Sequence, residues 1–226
     1  IIYRVGVTSL KIEIRDTDPN TGKMVKVGNF IFDEFADEKI NEFASEHSTR
    51  FRVAFAEGVS SWQVYKALSE IKFLSGELEN IPDEGTIAPA SYDFVIGMTK
   101  EALIKKMQER QASILNEAWN ARQPNLPINT KQEALILASI IEKETSLKTE
   151  RGKVSSVFVN RLLREIPLQT DASVIYGITR GKKVLGRGLR RSELKKDTPW
   201  NTYVNKGLPP SPIGNPGKAS IPVSYT

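Results

Sequence analysis

Hydrophobic and polar residues alternate along the N-terminal part of the chain, as expected of β-strands. Leu10, Ile12 and Ile14 fall on one face of such a strand, and a turn rich in Asp, Pro, Asn and Gly follows it. The pattern predicts a small α+β unit over residues 1–50. The elements predicted in and just after this unit are a strand, a returning strand, a short helix and a further strand, over residues 10–16, 26–35, 38–46 and 51–58.

Further along the chain the apolar positions recur at helical spacing. Ser60 or Ser61 can cap a helix on which Val64, Leu68 and Ile71 share one face. Residues 83–94, in contrast, are predicted to form a loop. The predicted helices cover residues 60–71, 98–119, 131–145 and 150–164.

The C-terminal part, residues 198–217, is rich in Pro and Gly and cannot continue as a helix or a central strand. Its embedded Trp200, Tyr203, Leu208 and Ile213 favour a packed loop, because a flexible linker has little use for large apolar side chains. The whole pattern predicts an α+β protein whose second part is mainly helical with short strands.

Composition narrows the chemistry available to this chain. The 226 residues include no cysteine and one histidine, His47, which excludes thiolate chemistry and multi-histidine metal sites. No stretch is apolar for the ~18 residues that would cross a bilayer. The remaining acid/base groups are carboxylates.

The positive charge is local. Residues 180–196 carry eight Lys or Arg and one Glu, a net charge of +7, whereas the whole chain has +5 and the remainder sums to −2. A solvated face is the simpler interpretation, and a cradle for an anionic polymer is the alternative. The segment lacks an aromatic residue on which bases could stack, so a nucleic-acid partner is not expected.

The helix over residues 131–145 ends in two glutamates. At about 100° per residue, Glu144 falls on the same face as Leu137 and Ile141, and Glu142 flanks the polar side. We therefore expect Glu144 to be buried, with its pKa raised by desolvation and by the helix C-terminus, as suits a general acid. Glu142 is expected to be solvated or paired with an arginine of the next helix. Alternatively, both glutamates decorate a frayed helix end.

Three ordered motifs carry a resemblance. The sequence LASIIEKETSLKTERGKVSSVFVNRL, then LQTDASVIYGI, then TPWNTYVNKGLPPSPIGNPG closely resembles the YceG-like endolytic murein transglycosylases. The resemblance spans about residues 57–220. In that family the catalytic acid is the second glutamate of EKET, which is Glu144 here.

The resemblance implies a lyase reaction on peptidoglycan. Glu144 would protonate the glycosidic oxygen between N-acetylmuramic acid (MurNAc) and N-acetylglucosamine (GlcNAc) and then deprotonate the C6 hydroxyl, giving a 1,6-anhydroMurNAc end without metal or cofactor. Such cleavage would terminate the elongation of nascent glycan strands. The resemblance further implies an inner-membrane protein with a periplasmic catalytic domain, and peptidoglycan synthases as possible partners.

Other motif residues receive supporting roles by hypothesis. Hydroxyls and amides could bind sugar N-acetyl groups, a tyrosine ring could stack on a pyranose, and an arginine could orient a carboxylate or a peptide stem. Each could equally be internal loop scaffolding, and Asp171 is either a second carboxyl or a helix cap. The predicted substrate-binding residues are Gln169, Thr170, Asp171, Tyr176, Asn201, Tyr203 and Arg161.

The resemblance also sets the domain boundaries and the alternatives. Residues 1–50 resemble part of a LysM-like subdomain and residues 51–226 a catalytic domain, which family members continue beyond this C-terminus and precede with a membrane helix. The chain departs from the family at Ala90, Ser91 and Ala172, where Asp, Thr and Pro are usual. The alternative functions are a muramidase in which Asp171 positions water, and a peptidoglycan-binding scaffold without activity.

Overall fold

The computed structural model of the chain describes residues 2–5, 11–17, 21, 24–31 and 51–223. These residues form one five-stranded sheet and a set of helices, so the architecture is α+β. The predicted helix over 38–46 and His47 lie outside the described residues. The strands are β1 Ile2–Val5, β2 Lys11–Thr17, β3 Met24–Ile31, β4 Phe51–Phe55 and β5 Ser91–Phe94. The helices are α1 Ser61–Glu70, α2 Lys100–Asn120, α3 Lys131–Glu144, α4 Arg151–Leu163, α5 Asp171–Thr179, α6 Arg191–Lys195 and α7 Ser220–Val223.

The sheet crosses the boundary predicted at residue 50. Its strand order is β3-β2-β1-β4-β5, and only β1 and β4 pair in parallel, with Ile2 opposite Arg52 and Val5 opposite Phe55. Two strands of the predicted N-terminal unit are therefore joined to β4 through β1. The strand expected over residues 51–58 is confirmed as the shorter β4.

The prediction of a loop over residues 83–94 is wrong for its last four residues, which form β5. Tyr92 and Phe94 are buried and alternate with exposed Ser91 and Asp93, and β5 pairs antiparallel with β4. Four alternating residues are too few to indicate a strand from sequence, and the register against β4 supplies the missing stabilisation.

Two hydrophobic clusters meet along α2. The first half of α2 packs Leu103 and Met107 against the sheet and α1, and its second half places Ile114 and Ala118 beside α3. Helix α3 lies at the centre of the second cluster. Every residue from 134 to 141 is buried, including Ser139, so this stretch of α3 has no solvent face.

The Pro/Gly-rich segment after α6 packs against the core as a loop. Asn215 is completely buried, accepts a hydrogen bond from the backbone N–H of Ile87 (2.9 Å) and donates to the carbonyl of Val59 (2.9 Å). Ile213 donates its backbone N–H to Ser139 on α3 at 3.0 Å. Across the described part of the chain, no helix is long and apolar enough to cross a membrane.

Candidate active site

The last turn of helix α3 lies at the protein surface. The helix begins with a capping box, in which the Thr130 side chain accepts the backbone N–H of Glu133 at 3.1 Å and Glu133 reaches back to the N-cap backbone. It ends at Thr145, whose extended backbone (φ −145°, ψ 133°) turns the chain away. The last turn thus places Glu142, Lys143 and Glu144 in different surroundings.

Glu142 is the buried glutamate of this turn. Its side chain is 5% exposed and lies 3.0 Å from Nη2 of Arg151 on α4, which is itself 2% exposed. It also accepts hydrogen bonds from the backbone N–H of Gly217 (2.9 Å) and from the Ser220 hydroxyl (2.7 Å). The predicted pairing with an arginine of the next helix is confirmed, and the carboxylate joins α3, α4 and the C-terminal segment.

Glu144 is exposed, so the burial expected from the helical face is wrong. The expectation failed because α3 is surrounded on all sides up to Ile141, and a helical face defined by those residues does not predict which side is covered one turn later. Arg151 and Gly217 cover the side of Glu142 and leave Glu144 in the open. Because Glu144 is not buried, desolvation does not support its role as a general acid.

The side chain of Glu144 is held by the start of α5. Thr170, 2% exposed and the N-cap residue of α5, donates its hydroxyl to Glu144 Oε1 and makes no side-chain cap hydrogen bond. The backbone of Thr170 is fixed in turn, because its N–H donates to Thr202 at 3.1 Å and its carbonyl accepts from Ser173 at 2.9 Å. One oxygen of Glu144 is thus positioned, and Oε2 has no partner among the described residues.

Asp171 and Tyr203 form a second polar pair at this site. The Tyr203 hydroxyl donates to Asp171 Oδ1 at 2.6 Å. The pKa of Tyr203 rises to about 12, chiefly because of this hydrogen bond, with burial and the charges of Asp171 and Glu144 adding to it. Asp171 is the first residue of α5 rather than its cap, and it is exposed directly after Thr170, which holds Glu144.

Arg161 supports the loop that leads to Thr170. Its Nη1 donates to the carbonyls of Pro167 and Leu168, both at 3.0 Å, and to Gln169 Oε1 at 3.1 Å. Gln169 has a left-handed backbone (φ 54°), an unfavourable conformation for a residue with a side chain. These bonds offset that cost, and they favour the scaffolding alternative for Arg161.

Asn201 has the geometry of internal scaffolding. It is completely buried, and its amide nitrogen donates to the carbonyls of Glu193, Leu194 and Lys196. Its side-chain oxygen accepts the backbone N–H of Tyr203 at 3.0 Å. Both ends of the amide are therefore used within the loop that presents Tyr203.

Tyr176 lies one α5 turn beyond Ala172 and faces a different partner. Its hydroxyl donates to Glu84 Oε2 at 3.1 Å, and its ring is tilted against Trp200 with centroids 6.0 Å apart. Burial is the main cause that raises the pKa of Tyr176, and the neighbouring carboxylate of Glu84 raises it further.

Two titratable residues near the site, Glu84 and Lys143, were not singled out from the sequence. Burial raises the pKa of Glu84, although hydrogen bonds from Ser61 and Tyr176 oppose the shift. Lys143 is exposed as a residue, but desolvation of its ammonium group lowers its pKa, and the charges of Glu84 and Glu142 oppose that shift. The glutamate of the motif EGTIAPASY was the available indication for Glu84. Within the described ranges, no group of His, Cys, Asp and Glu could hold a metal ion.

The site is thus an exposed glutamate fixed by a buried hydroxyl, with a second carboxyl beside it, on an α+β scaffold. The sequence profile of the YceG-like family matches residues 6–223. The chain therefore belongs to the YceG-like family, as the motifs predicted.

Two curated relatives and one solved structure support this placement. The chain is 37% identical over 140 residues to an endolytic murein transglycosylase of Bacillus subtilis (strain 168), a match covering 62% of this chain and 37% of that protein. It is 33% identical over 144 residues to an endolytic murein transglycosylase of Streptococcus pneumoniae serotype 2 (strain D39), covering 61% and 25%. The matched parts are thus well under half of these relatives' lengths.

The fold has a solved counterpart. The crystal structure of a yceG-like protein from Listeria monocytogenes superposes with a TM-score of 0.62 at 23% sequence identity. The superposition covers 87% of this chain and 74% of that one. It supports the arrangement of helices and strands described above.

Proposed function

We propose that this chain carries the catalytic unit of an endolytic lytic transglycosylase, which cleaves the MurNAc–GlcNAc bond within peptidoglycan strands. The observation that carries the proposal is the exposed carboxyl of Glu144, held through one oxygen by the Thr170 hydroxyl. A fixed carboxyl with its other oxygen open to a ligand is suited to proton transfer. The names of the relatives, endolytic murein transglycosylases, support the same activity.

The reaction needs one carboxyl group used twice. Glu144, protonated on Oε2, donates its proton to the glycosidic oxygen as the bond from C1 of MurNAc to that oxygen breaks. The resulting carboxylate removes the proton from the C6 hydroxyl of the same MurNAc, whose oxygen then bonds to C1. The proton returns to Glu144, and the products are a free GlcNAc hydroxyl and a 1,6-anhydroMurNAc end.

Three of the residues expected to bind substrate would contact the strand in this proposal. Gln169 and Asp171 are exposed and flank Thr170 in the sequence, and Tyr203 is half-buried and donates its hydroxyl to Asp171. Their amide, carboxyl and hydroxyl groups suit sugar hydroxyls and N-acetyl groups. Three other residues have indirect roles. Thr170 fixes Glu144, and Asn201 and Arg161 fix the loops.

A muramidase is the second candidate, and Asp171 is the observation that favours it. Its carboxyl is exposed, and its hydrogen-bond partner Tyr203 is close enough to Glu144 for the charge of Glu144 to affect the pKa of Tyr203. A second carboxylate beside the acid is what a hydrolase needs to activate water. Hydrolysis would give reducing MurNAc ends.

Product analysis tests the proposal. Mass spectrometry of digested strands should show ends lighter by one water than the hydrolytic products, and reducing MurNAc ends as the main product would favour the muramidase. Glu144→Gln should lower cleavage by about 100-fold to 10,000-fold, the usual contribution of a general acid and base. Asp171→Asn is the matched carboxyl-to-amide control, because it should leave anhydro product as the main product.

The broader setting belongs to the same proposal. The whole protein would sit in the bacterial inner membrane through a helix that precedes this chain, with a LysM-like subdomain over residues 1–50 and a periplasmic catalytic domain over residues 51–226. Its cleavage would terminate glycan elongation beside peptidoglycan synthases. A protein that binds purified strands and turns none of them over would instead be the non-catalytic scaffold.

A further inference from the structure

A cavity of about 390 Å³ adjoins the candidate active site. Helix α5 lines it with Ala172, Ile175 and Tyr176, and the loop after α5 lines it with Gly181 and residues 183–187. Lys143, from the last turn of α3, also lines the cavity. The volume lies in the range of sites that hold a small ligand or part of a larger one.

Glu144 and Thr170 do not line the cavity, but residues adjacent to them along the chain do. Lys143 directly precedes Glu144, and Ala172 is the second residue after Thr170, whose hydroxyl binds Glu144. Consecutive Cα atoms are about 3.8 Å apart, so the backbone of Lys143 lies about 3.8 Å from that of Glu144, and the backbone of Ala172 lies at most about 7 Å from that of Thr170. The cavity can therefore receive a substituent of the sugar that is being cleaved.

The described residues that line the cavity include three cations and no Asp or Glu. Arg187 is occupied, because it donates two hydrogen bonds to Glu193 at 2.8 and 2.6 Å. Lys143 faces the carboxylates of Glu84 and Glu142. Lys183 is exposed and has no ion pair or hydrogen bond with a described residue, so it is the cation available to an anionic ligand.

The rest of the lining exposes more apolar than polar surface, and its polar side chains are those of Ser60, Gln63, Tyr176 and Thr179. Ala172, Ile175 and Leu185 contribute aliphatic surface, and Val184, 83% exposed, stands at the rim. An aliphatic lining with one available ammonium group fits a ligand that combines small aliphatic side chains with a carboxylate. A neutral sugar ring, which needs many hydroxyl partners, fits this lining less well.

We propose that this cavity is a subsite for the peptide stem of the MurNAc residue at Glu144, with Lys183 receiving a stem carboxylate. The inference rests on the proposed function, which brings MurNAc to Glu144. The stem branches from the lactyl group of that same sugar, and it carries alanine methyl groups and free carboxylates. Strands with stems should therefore bind better than strands from which an amidase has removed them.

Binding by the Glu144→Gln protein provides the first test, because this variant is expected not to consume its ligand. Fluorescence anisotropy would compare labelled strands with stems, strands without stems, and strands whose stem carboxylates are amidated. Strands with free stem carboxylates should bind at least about fivefold more tightly than the other two. Equal binding of all three, or no binding of any, overturns the subsite.

Charge reversal at Lys183 provides the second test. In the same Glu144→Gln background, Lys183→Glu should remove the preference for stem carboxylates, because it places like charges together. Lys182→Glu is the matched control: Lys182 is the exposed neighbour and does not line the cavity, so the preference should persist. Equal effects of the two substitutions would mean that general surface charge, and not the cavity, recognises the stem.

Cleavage assays separate this inference from the proposed function. If the parent protein cleaves strands with and without stems equally and gives anhydro ends, the activity stands and the subsite is overturned. If it cleaves neither but still binds stems through Lys183, the subsite stands and the proposed activity fails.

Discussion

Glu142 and Arg151 form an ion pair of 3.0 Å in which both side chains are almost fully removed from solvent, at 5% and 2% exposure. Glu57, which is 41% exposed, lies on the same guanidinium nitrogen at 3.2 Å, and Nε and Nη1 of Arg151 have no hydrogen-bond partner. Glu142 is therefore the main counter-charge of a buried arginine. Glu142, the first glutamate of EKET, therefore has a structural role, and the candidate acid Glu144 follows two residues later.

Glu142→Gln should destabilise the protein by about 3 kcal/mol, because removal of one charge from a buried pair leaves the other uncompensated. Glu144→Gln is the matched change on the exposed side of the same turn, and it should alter stability by no more than about 0.5 kcal/mol. Urea unfolding at pH 7 measures both. A larger loss in Glu144→Gln than in Glu142→Gln would contradict the assignment of the buried glutamate.

Thr170→Val should lower the cleavage rate by about tenfold or more while the protein remains folded. The substitution keeps the shape of the buried side chain and removes the hydroxyl that positions Glu144 Oε1. Thr170→Ser keeps a hydroxyl and should retain most of the rate. Strand cleavage measured at several pH values checks this, and equal rates in the parent and Thr170→Val would show that the hydrogen bond is dispensable.

The carboxyl of Glu84 should titrate above its ordinary value of 4.5, because it is buried. Tyr176→Phe should raise this pKa further, since the lost hydroxyl stabilises the carboxylate, which also faces Lys143. Carboxyl-carbon NMR shifts against pH give both values. A Glu84 pKa at or below 4.5, or a lower value in Tyr176→Phe, would contradict the burial argument.

The raised pKa of Glu84 also determines the direction in which stability changes with pH. A raised folded pKa means that the contribution of Glu84 is fully present below the unfolded pKa and is lost as pH rises through the folded pKa. The destabilisation by Tyr176→Phe should therefore be greater at pH 8 than at pH 4. Tyr65→Phe is the control, because Tyr65 donates to the neutral carbonyl of Leu78 (3.4 Å) and its loss should show no such pH dependence.

Gly85→Ala should destabilise the protein more than Gly97→Ala does. The two glycines have the same left-handed backbone, with φ of +86° and +85°, so both substitutions add about 1 kcal/mol of strain. A Cβ at Gly85 would also lie 2.7 Å from Pro212, whereas one at Gly97 would meet nothing within 4 Å. Overpacking should add about 1–3 kcal/mol at Gly85 alone, as measured by urea unfolding. Equal losses of stability in the two variants would mean that the loop around Pro212 moves aside without an energetic penalty.

The sequence predicted local elements well where a cap and a long periodic pattern agree. The helix expected over 131–145 is α3, Lys131–Glu144, because Thr130 and Glu133 form the capping box and the apolar run fills the core. Ser60 caps α1 as the residue pattern predicted. The strand β5 was missed, because its four residues become a strand only against β4.

The candidate site depended on both the local sequence and the tertiary structure. The amino-acid sequence by itself determined the helix that ends in two glutamates, the restriction of candidate acid/base groups to carboxylates and, through its motifs, the family, because these follow from local spacing and residue identity. Which glutamate is buried was decided by tertiary structure, since Arg151 of the next helix and Gly217, 75 residues along the chain, both pack against Glu142. The placement of Thr170 against Glu144 is a contact between residues 26 apart, and no local pattern specifies such a distance.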